Sequence, residues 1–358
     1  MKLTIAVKIV TTSEQAEALR ETLARCNEVS NWIAATGFAA GVFREFDLHY
    51  LCYRAAREKF DIGSVALTKC MTKVAGVFSR SRTVAPNFRP LSAHLYTKNM
   101  FRIFGDMVSI WTIRGRMKLP IAMGERQRNL LPFAKGEASL AHRQGKWFLI
   151  LPCEVEAKPA RVPSDWLGID MGIVNIAADS DGTVYSGSEI EARRAHASRR
   201  KAGLQRRGTK AAKRRLRKLS GKQRKFQTHT NHCISKALVL AAERTGRGIG
   251  LEDLKHIRAR VTAMRSQRAR LNNWAFGQLR EFITYKAKLA GVPVAIVNPK
   301  YTSQQCSCCG HIDKANRPDQ ATFSCVSCGH SDTADLNAAR NIRARAALAA
   351  PSSSRASA

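Results

Sequence analysis

No stretch of this 358-residue chain approaches the ~18 consecutive apolar residues that a membrane span requires. The opening MKLTIAVKIVTTSEQ likewise has no long apolar core of the secretory type. Both absences lead to the expectation of a soluble, cytoplasmic protein with no membrane partner. Acid is the other scarcity. Only 27 Asp plus Glu stand against 60 Lys plus Arg, a net charge of +33, and an imbalance of that size calls for a polyanionic partner, nucleic acid before an anionic membrane. The deficit is also local, since no acidic residue occurs between Glu191 and Glu243. Cysteines are not rare, but six of the ten (Cys26, Cys52, Cys70, Cys153, Cys233, Cys308) are scattered singly among apolar or helical segments. That usage excludes a disulfide framework and fits a reducing compartment.

The remaining four cysteines are paired. Cys306-x-x-Cys309-Gly310 and Cys325-x-x-Cys328-Gly329 are two copies of one turn, in which two thiolates face a shared ion and glycine takes the positive φ that follows. Fifteen residues separate the pairs, a spacing that reads as a structural zinc ribbon with Cys306, Cys309, Cys325 and Cys328 as Zn²⁺ ligands. Cys308 breaks the register and reads as a neighbour of the site, with competition against Cys306 left open. Just beyond, Asp332-Thr333-Ala334-Asp335 leads into an alanine-rich segment, which puts Asp335 at or near a helix N-terminus. Capping alone would explain an acid there; chemistry would require partners elsewhere.

Read from its start, the chain opens with a β-prone run, LTIAVKIV, followed by the hydroxyl and acid signals of a helix start at residues 11–15. Leu19, Leu23, Val29 and Trp32 recur near helical spacing, and Leu48–Phe60 and Ser64–Phe78 continue the pattern. Residues 12–82 are therefore expected to form a helical subdomain. From Val84 to Pro159 short β-branched and aromatic segments alternate with Gly and Pro, which suggests a small β-barrel that the first strand can join. Trp166–Ile173, Asn175–Ala178 and Thr183–Tyr185, linked by an Asp181-Gly182 turn, read as the opening meander of a ribonuclease-H-like fold. Asp170 is the odd residue of that first strand. A carboxylate among apolar neighbours is costly unless it is paired or holds a cation.

The acid-free stretch carries Arg199, Arg200, Lys201, Arg206, Arg207, Lys213, Arg214 and Arg215, with alanines and leucines at helical spacing. It reads either as a solvated charge run or as an ordered basic helix lying along a nucleic-acid backbone, where each phosphate contact releases counterion. His229, His232 and Cys233 follow; a second metal site there lacks a fourth ligand, and packing on a helix is the plainer expectation. Gly248–Leu254 is a further strand ending in acids, Asn272–Ala290 a helix with Trp274, Phe276, Leu279 and Phe282, and Val292–Val297 the last strand. Three acids thus occupy comparable places: Asp170, Glu252 and Asp335. Their hard oxygens suit Mg²⁺ or Mn²⁺, and a pair of such ions ~3.5–4 Å apart can activate water and stabilise a leaving oxygen at a phosphodiester.

The order GIDMG, GLEDL, a four-cysteine ribbon and then D-x-N-A-A-x-N-I resembles the RuvC-type nuclease of the transposon-encoded TnpB proteins, relatives of type V CRISPR effectors. Residues 166–342 carry the resemblance strongly, including Asn231–Ser235, Tyr285–Ala287 and Tyr301–Gln304; Thr12–Gln15 and Val29–Asn31 match more loosely. By resemblance Asp170, Glu252 and Asp335 would be the catalytic triad and hold Mg²⁺. The fold implied is an α/β, RNase H-like RuvC domain (164–301 and 331–347) with an inserted ribbon (302–330) and a short tail (348–358). An N-terminal β-barrel, or wedge, domain (1–11 and 83–163) would carry a helical recognition insertion (12–82). The resemblance further implies a guide RNA from the transposon end, a double-stranded DNA target cut beside a short adjacent motif, a monomer on its RNA, and a nucleoid-associated place in a prokaryotic cell. Thr11-Thr12 departs from a proline-threonine pair frequent in the family, and Cys308 is extra. The competing readings are a guided DNA-binding protein without cleavage, a strand-transfer transposase, and a basic zinc-ribbon RNA-binding protein.

Overall fold

The computed structural model describes residues 1–172, 174–254 and 276–349, and the chain divides into two compact units, Met1–Glu156 and Ala157–Ala358. The first unit is organised on β1 (Lys2–Ile9), whose Ile5, Val7 and Ile9 are all but inaccessible while alternate residues face outward. That period-two pattern is what a strand half-buried in a sheet requires. The other strands are β2 (His94–Tyr96), β3 (Phe101–Phe104), β4 (Met107–Thr112), β5 (Gly115–Ala122), β6 (Ala138–Arg143) and β7 (Lys146–Glu154). They form an antiparallel, nearly closed sheet in the order β2-β6-β7-β1-β5-β4-β3, with β1 paired to β7 from Lys2↔Glu154 to Ile9↔Trp147. Between β1 and β2 run three helices, α1 (Ser13–Ala39), α2 (Glu45–Lys59) and α3 (Ser64–Phe78). Thr12 starts α1 with a capping box: its hydroxyl accepts from Gln15 N, and Gln15 returns a bond to Thr12 N. A short helix, α4 (Glu125–Leu130), lies between β5 and β6.

The second unit holds the sheet β10-β9-β8-β11-β12, built from β8 (Trp166–Asp170), β9 (Asn175–Asp179), β10 (Val184–Ser186), β11 (Gly248–Glu252) and β12 (Val294–Val297). The first three strands are antiparallel; β11 then lies parallel to β8 and β12 parallel to β11. One face of β8 and β11 presents Leu167, Ile169, Ile249 and Leu251 to α6 (Lys210–Arg244) and α7 (Phe276–Ala290). The start of the predicted 272–290 helix, with Trp274, lies outside the described residues, as does the tail from 350. The other face is flattened by Gly168 and Gly250, which are direct partners across the two strands. Helix α8 (Ala334–Ala349) rests on them so closely that a Cβ on Gly168 would lie 2.0 Å from Ala339 O, and one on Gly250 2.8 Å from the Ala346 Cβ. Only glycine permits that approach.

The basic run is two helices and not one. α5 (Ser188–Arg207) ends at Gly208 with φ +63°, and Thr209 then caps α6 by accepting from Ala212 N. A left-handed glycine followed by an N-cap threonine is the stop and start signal that turns a basic helix back on itself. No described helix is long and apolar enough to cross a membrane.

Candidate active site and cysteine knuckle

Register places the carboxylates. Asp170 and Glu252 stand two residues beyond Gly168 and Gly250, so they share the glycine face at the C-terminal ends of adjacent parallel strands. Asp335 stands four residues before Ala339 on α8. One helical turn advances ~6 Å and two strand residues ~6.6 Å, so Asp335 reaches the level of Asp170. The sequence suggested an acid in mid-strand; the structure puts Asp170 at the strand end, where its side chain faces the two other acids. Burial, and then the negative charges of Glu252 and Asp335, push Asp170 well above the usual carboxylate range, against the opposing pull of Arg317. Glu252 is only 7% exposed, and burial raises it as well. Asn175 at the start of β9 donates to Asp335 Oδ2 at 2.7 Å. The three carboxylates are not gathered as tightly as the knuckle thiols, whose sulfurs all lie within 4.8 Å of one another.

Several residues that hold this arrangement were not singled out in the sequence. Thr302, 4% exposed, donates its hydroxyl to Glu252 Oε1. Thr302 is fixed in turn from α8, where Asn337, Asn341 and Arg345 recur every fourth residue along one face. Asn341 donates to Thr302 O and Gln305 O, and Asn337 to Gln305 O while accepting from Ser307 N. Arg345 donates to Asn298 O, Lys300 O and Gln305 Oε1. The helix that carries Asp335 therefore also clamps the loop that supports Glu252. The sequence signal was the D-x-N spacing and its asparagine one turn later, which has no meaning until the loop is known to lie alongside.

The four cysteines close a compact knuckle. Cys306 and Cys328 sulfurs are 3.7 Å apart, Cys309 and Cys325 3.6 Å. Each turn repeats the other: Gly310 N donates to Cys306 O and Gly329 N to Cys325 O, with φ of +79° and +71° at the two glycines. The backbone N–H of Cys328, with help from Ser327, brings the Cys325 thiol down to about 6. Cys308 is exposed and outside the group. His232 stacks on Phe282 at 3.9 Å, and His229 meets Cys233 one turn on, so this trio packs on α6 and is not among the described metal-binding groups.

The basic residues lie along the α5–α6 hairpin. Arg200 and Arg207 of α5 and Arg215 of α6, with Lys218 and Lys222, line a groove of about 500 Å³. Lys201 lines a second groove of about 240 Å³ with Arg193 and Arg224. Arg199, Arg206, Lys213 and Arg214 are exposed on the same two helices but line neither groove.

Residues 150–256 match the family described as probable transposase, OrfB of IS605, and residues 276–342 the Cas12f1-like TNB domain. A TnpB-like protein of Methanocaldococcus jannaschii is 41% identical over 96 residues, 26% of this chain and 34% of that one. Over these stretches the chain is similar to TnpB-family proteins. Other relatives are named for nuclease activity. The CRISPR-associated endodeoxyribonuclease Cas12f1 of Sulfoacidibacillus thermotolerans is 35% identical over 56% of this chain and 50% of its own length. The putative RNA-guided DNA endonuclease InsQ of Escherichia coli K12 is 30% identical over 56% of this chain and 54% of its own. The chain thus spans about half the length of these two relatives. In fold it is similar to the protein of a Cas12f1–sgRNA–target DNA complex, with a TM-score of 0.62 at 18% identity over 93% of this chain and 83% of that one.

Proposed function

We propose that this chain is a TnpB-family, RNA-guided, metal-dependent DNA endonuclease of an insertion-sequence element, with Asp170, Glu252 and Asp335 as its catalytic carboxylates. The observation that carries the reading is the meeting of three acids at one sheet edge, where burial first, and then the charges of Glu252 and Asp335, drive Asp170 toward its protonated form. Such a set fits a hard divalent cation, because positive charge there would offset the burial that raises Asp170 and Glu252. Mg²⁺ or Mn²⁺ bound at the site would supply an activated water and a stabilised leaving oxygen. The chain's own part is to orient the acids: Asn175 holds Asp335, Thr302 holds Glu252, and parallel pairing up to Ile169↔Leu251 brings Asp170 and Glu252 to neighbouring strand ends. Three antiparallel strands followed by two parallel ones, with helices on both faces, support the RNase H-like, RuvC-type reading of the second unit. The knuckle fits zinc. Tetrahedral Zn–S bonds of ~2.3 Å put sulfurs ~3.8 Å apart, close to the spacings of 3.6 and 3.7 Å found here. The α5–α6 hairpin supplies a sequence-independent phosphate surface, and the nearly closed sheet with its helices serves as wedge and recognition parts.

Thr302 provides a check on the site's internal support. Thr302→Val removes the hydroxyl and leaves Glu252 without a donor in a buried place, so cleavage is expected to fall on the order of tenfold, with Thr302→Ser restoring it. Equal cleavage by the valine and wild-type chains would remove Thr302 from the positioning role.

The proposed activity is tested through its RNA. Expressed with its flanking genomic DNA, the chain should retain one discrete RNA through high-salt purification, whereas nonspecific RNA bound by a +33 chain is lost as salt rises. In guided recognition base pairing reads the sequence and the protein reads a short duplex motif. Exchanging the 3′ segment of that RNA should then move the cut site with no change in the protein. Cleavage indifferent to the segment, or joined in place of cut DNA ends, would return the protein to the transposase reading.

A further inference from the structure

The N-terminal unit contains a second group of metal-type donors with no part in the proposed chemistry. Cys26 of α1, Cys70 of α3 and His94 of β2 lie far apart in sequence, yet their donor atoms are all within 4.8 Å of one another. The two cysteines are fully buried and His94 is 1% exposed. Buried thiols alone would be ordinary, since free cysteine packs as a small hydrophobe. The histidine is not ordinary: neither Nδ1 nor Nε2 has a hydrogen-bond partner, although both are buried. A buried polar group in a native protein is nearly always satisfied, and an imidazole with two open nitrogens beside two sulfurs calls for an unseen partner.

We propose that Cys26, Cys70 and His94 form a buried site for a thiophilic d¹⁰ cation, Zn²⁺ or Cu⁺. Binding Zn²⁺ exchanges the two thiol protons for two metal–sulfur bonds, with imidazole nitrogen as the third donor, and the protons leave to solvent. Two thiolates and a neutral imidazole around Zn²⁺ carry no net charge, which suits an apolar core; Cu⁺ in the same place leaves one negative charge. Lys73 lies three residues from Cys70 on α3, donates to Asn27 Oδ1 and sits over the Phe88 ring, so a cation is at hand for that case. Soft sulfur with imidazole selects such ions over Mg²⁺ or Ca²⁺. Within this unit the ion ties two helices of the 13–78 segment to the edge strand of the sheet. A Cys26–Cys70 disulfide is the rival use of the thiols. Cys70 Sγ already donates to Cys26 O at 3.3 Å, but a disulfide leaves His94 as unsatisfied as before.

The test is elemental analysis of the full-length protein, together with X-ray absorption at the zinc and copper edges. Wild type should hold one ion in a shell mixing sulfur at ~2.3 Å with nitrogen at ~2.0 Å, in addition to any all-sulfur ion of the knuckle. Cys325→Ser should leave the mixed-shell ion in place, and Cys70→Ala should remove it. The copper edge identifies Cu⁺ if the mixed shell is seen there. Because the wild-type spectrum is read directly, a Cys70→Ala chain that misfolds does not blunt the test. An all-sulfur shell as the sole signal, or a Cys26–Cys70 disulfide in a non-reduced peptide map, would overturn the proposal.

Discussion

Asp170→Ala, Glu252→Ala and Asp335→Ala chains are each expected to cut guide-matched DNA roughly 10³-fold or more slowly than wild type. Metal-assisted charge stabilisation is worth several kcal/mol and each ~1.4 kcal/mol is a factor of ten. Nucleic-acid affinity should change little, since in the proposed reading it is the basic hairpin that supplies sequence-independent binding. EDTA should stop cleavage, and Mg²⁺ or Mn²⁺ should restore it. Full activity in the Glu252→Ala chain would remove the assignment. The conservative variant Asp170→Asn carries an opposite prediction for stability. Asp170 is raised in the folded chain, so above the unfolded carboxylate value of ~3.9 the folded state holds more proton than the unfolded one. Stability contributed at this position is therefore lost as pH rises from that value through the raised one. Asparagine does not titrate. In metal-free buffer at neutral pH Asp170→Asn should melt higher than wild type, by roughly 2–4 °C for each kcal/mol relieved, while cutting no DNA. A melting point below wild type under those conditions would mean that Asp170 is a structural acid.

Removing one knuckle cysteine should have the other large effect. Cys325→Ser is expected to release the knuckle's zinc and unfold the 302–333 segment, since zinc affinity in such ribbons is folding free energy, ~10–16 kcal/mol in isolated fingers. Cleavage should fall with it. The loop ahead of the knuckle is tied to α8 through Asn337, which accepts from Ser307 N and donates to Gln305 O, and through Asn341. When that loop loosens, Thr302 loses its hold on Glu252 and Asp335 loses its neighbour's geometry. Cys308→Ser is the matched control, because Cys308 is exposed and stands apart from the four sulfurs. Zinc content, thermal melting and cleavage are the three measurements. A zinc-free Cys325→Ser protein with unaltered melting and cleavage would refute the coupling.

Some of this was legible in the residues alone. The C-x-x-C-G turns announce themselves because thiolate spacing and a left-handed glycine are local requirements, met within five residues. Asp170 stood out because a carboxylate in an apolar strand needs a reason wherever the strand lies. The charge of residues 193–225 was equally plain, but it read as one basic helix; the stop and start signal at Gly208-Thr209 was passed over, and the structure shows a hairpin there. Tertiary structure decided the rest. Gly168 and Gly250 become a shelf for α8 only once parallel pairing sets them side by side, and that shelf is what brings Asp335 to Asp170. Thr302, Asn337 and Asn341 are common polar residues, given meaning by a helix face lying along a loop. Cys26, Cys70 and His94 have no spacing that suggests a site; two helices and a strand bring their donors together. Local motifs are written in neighbouring residues because backbone geometry enforces them. Constellations drawn from distant segments depend on packing, which a single sequence specifies without displaying.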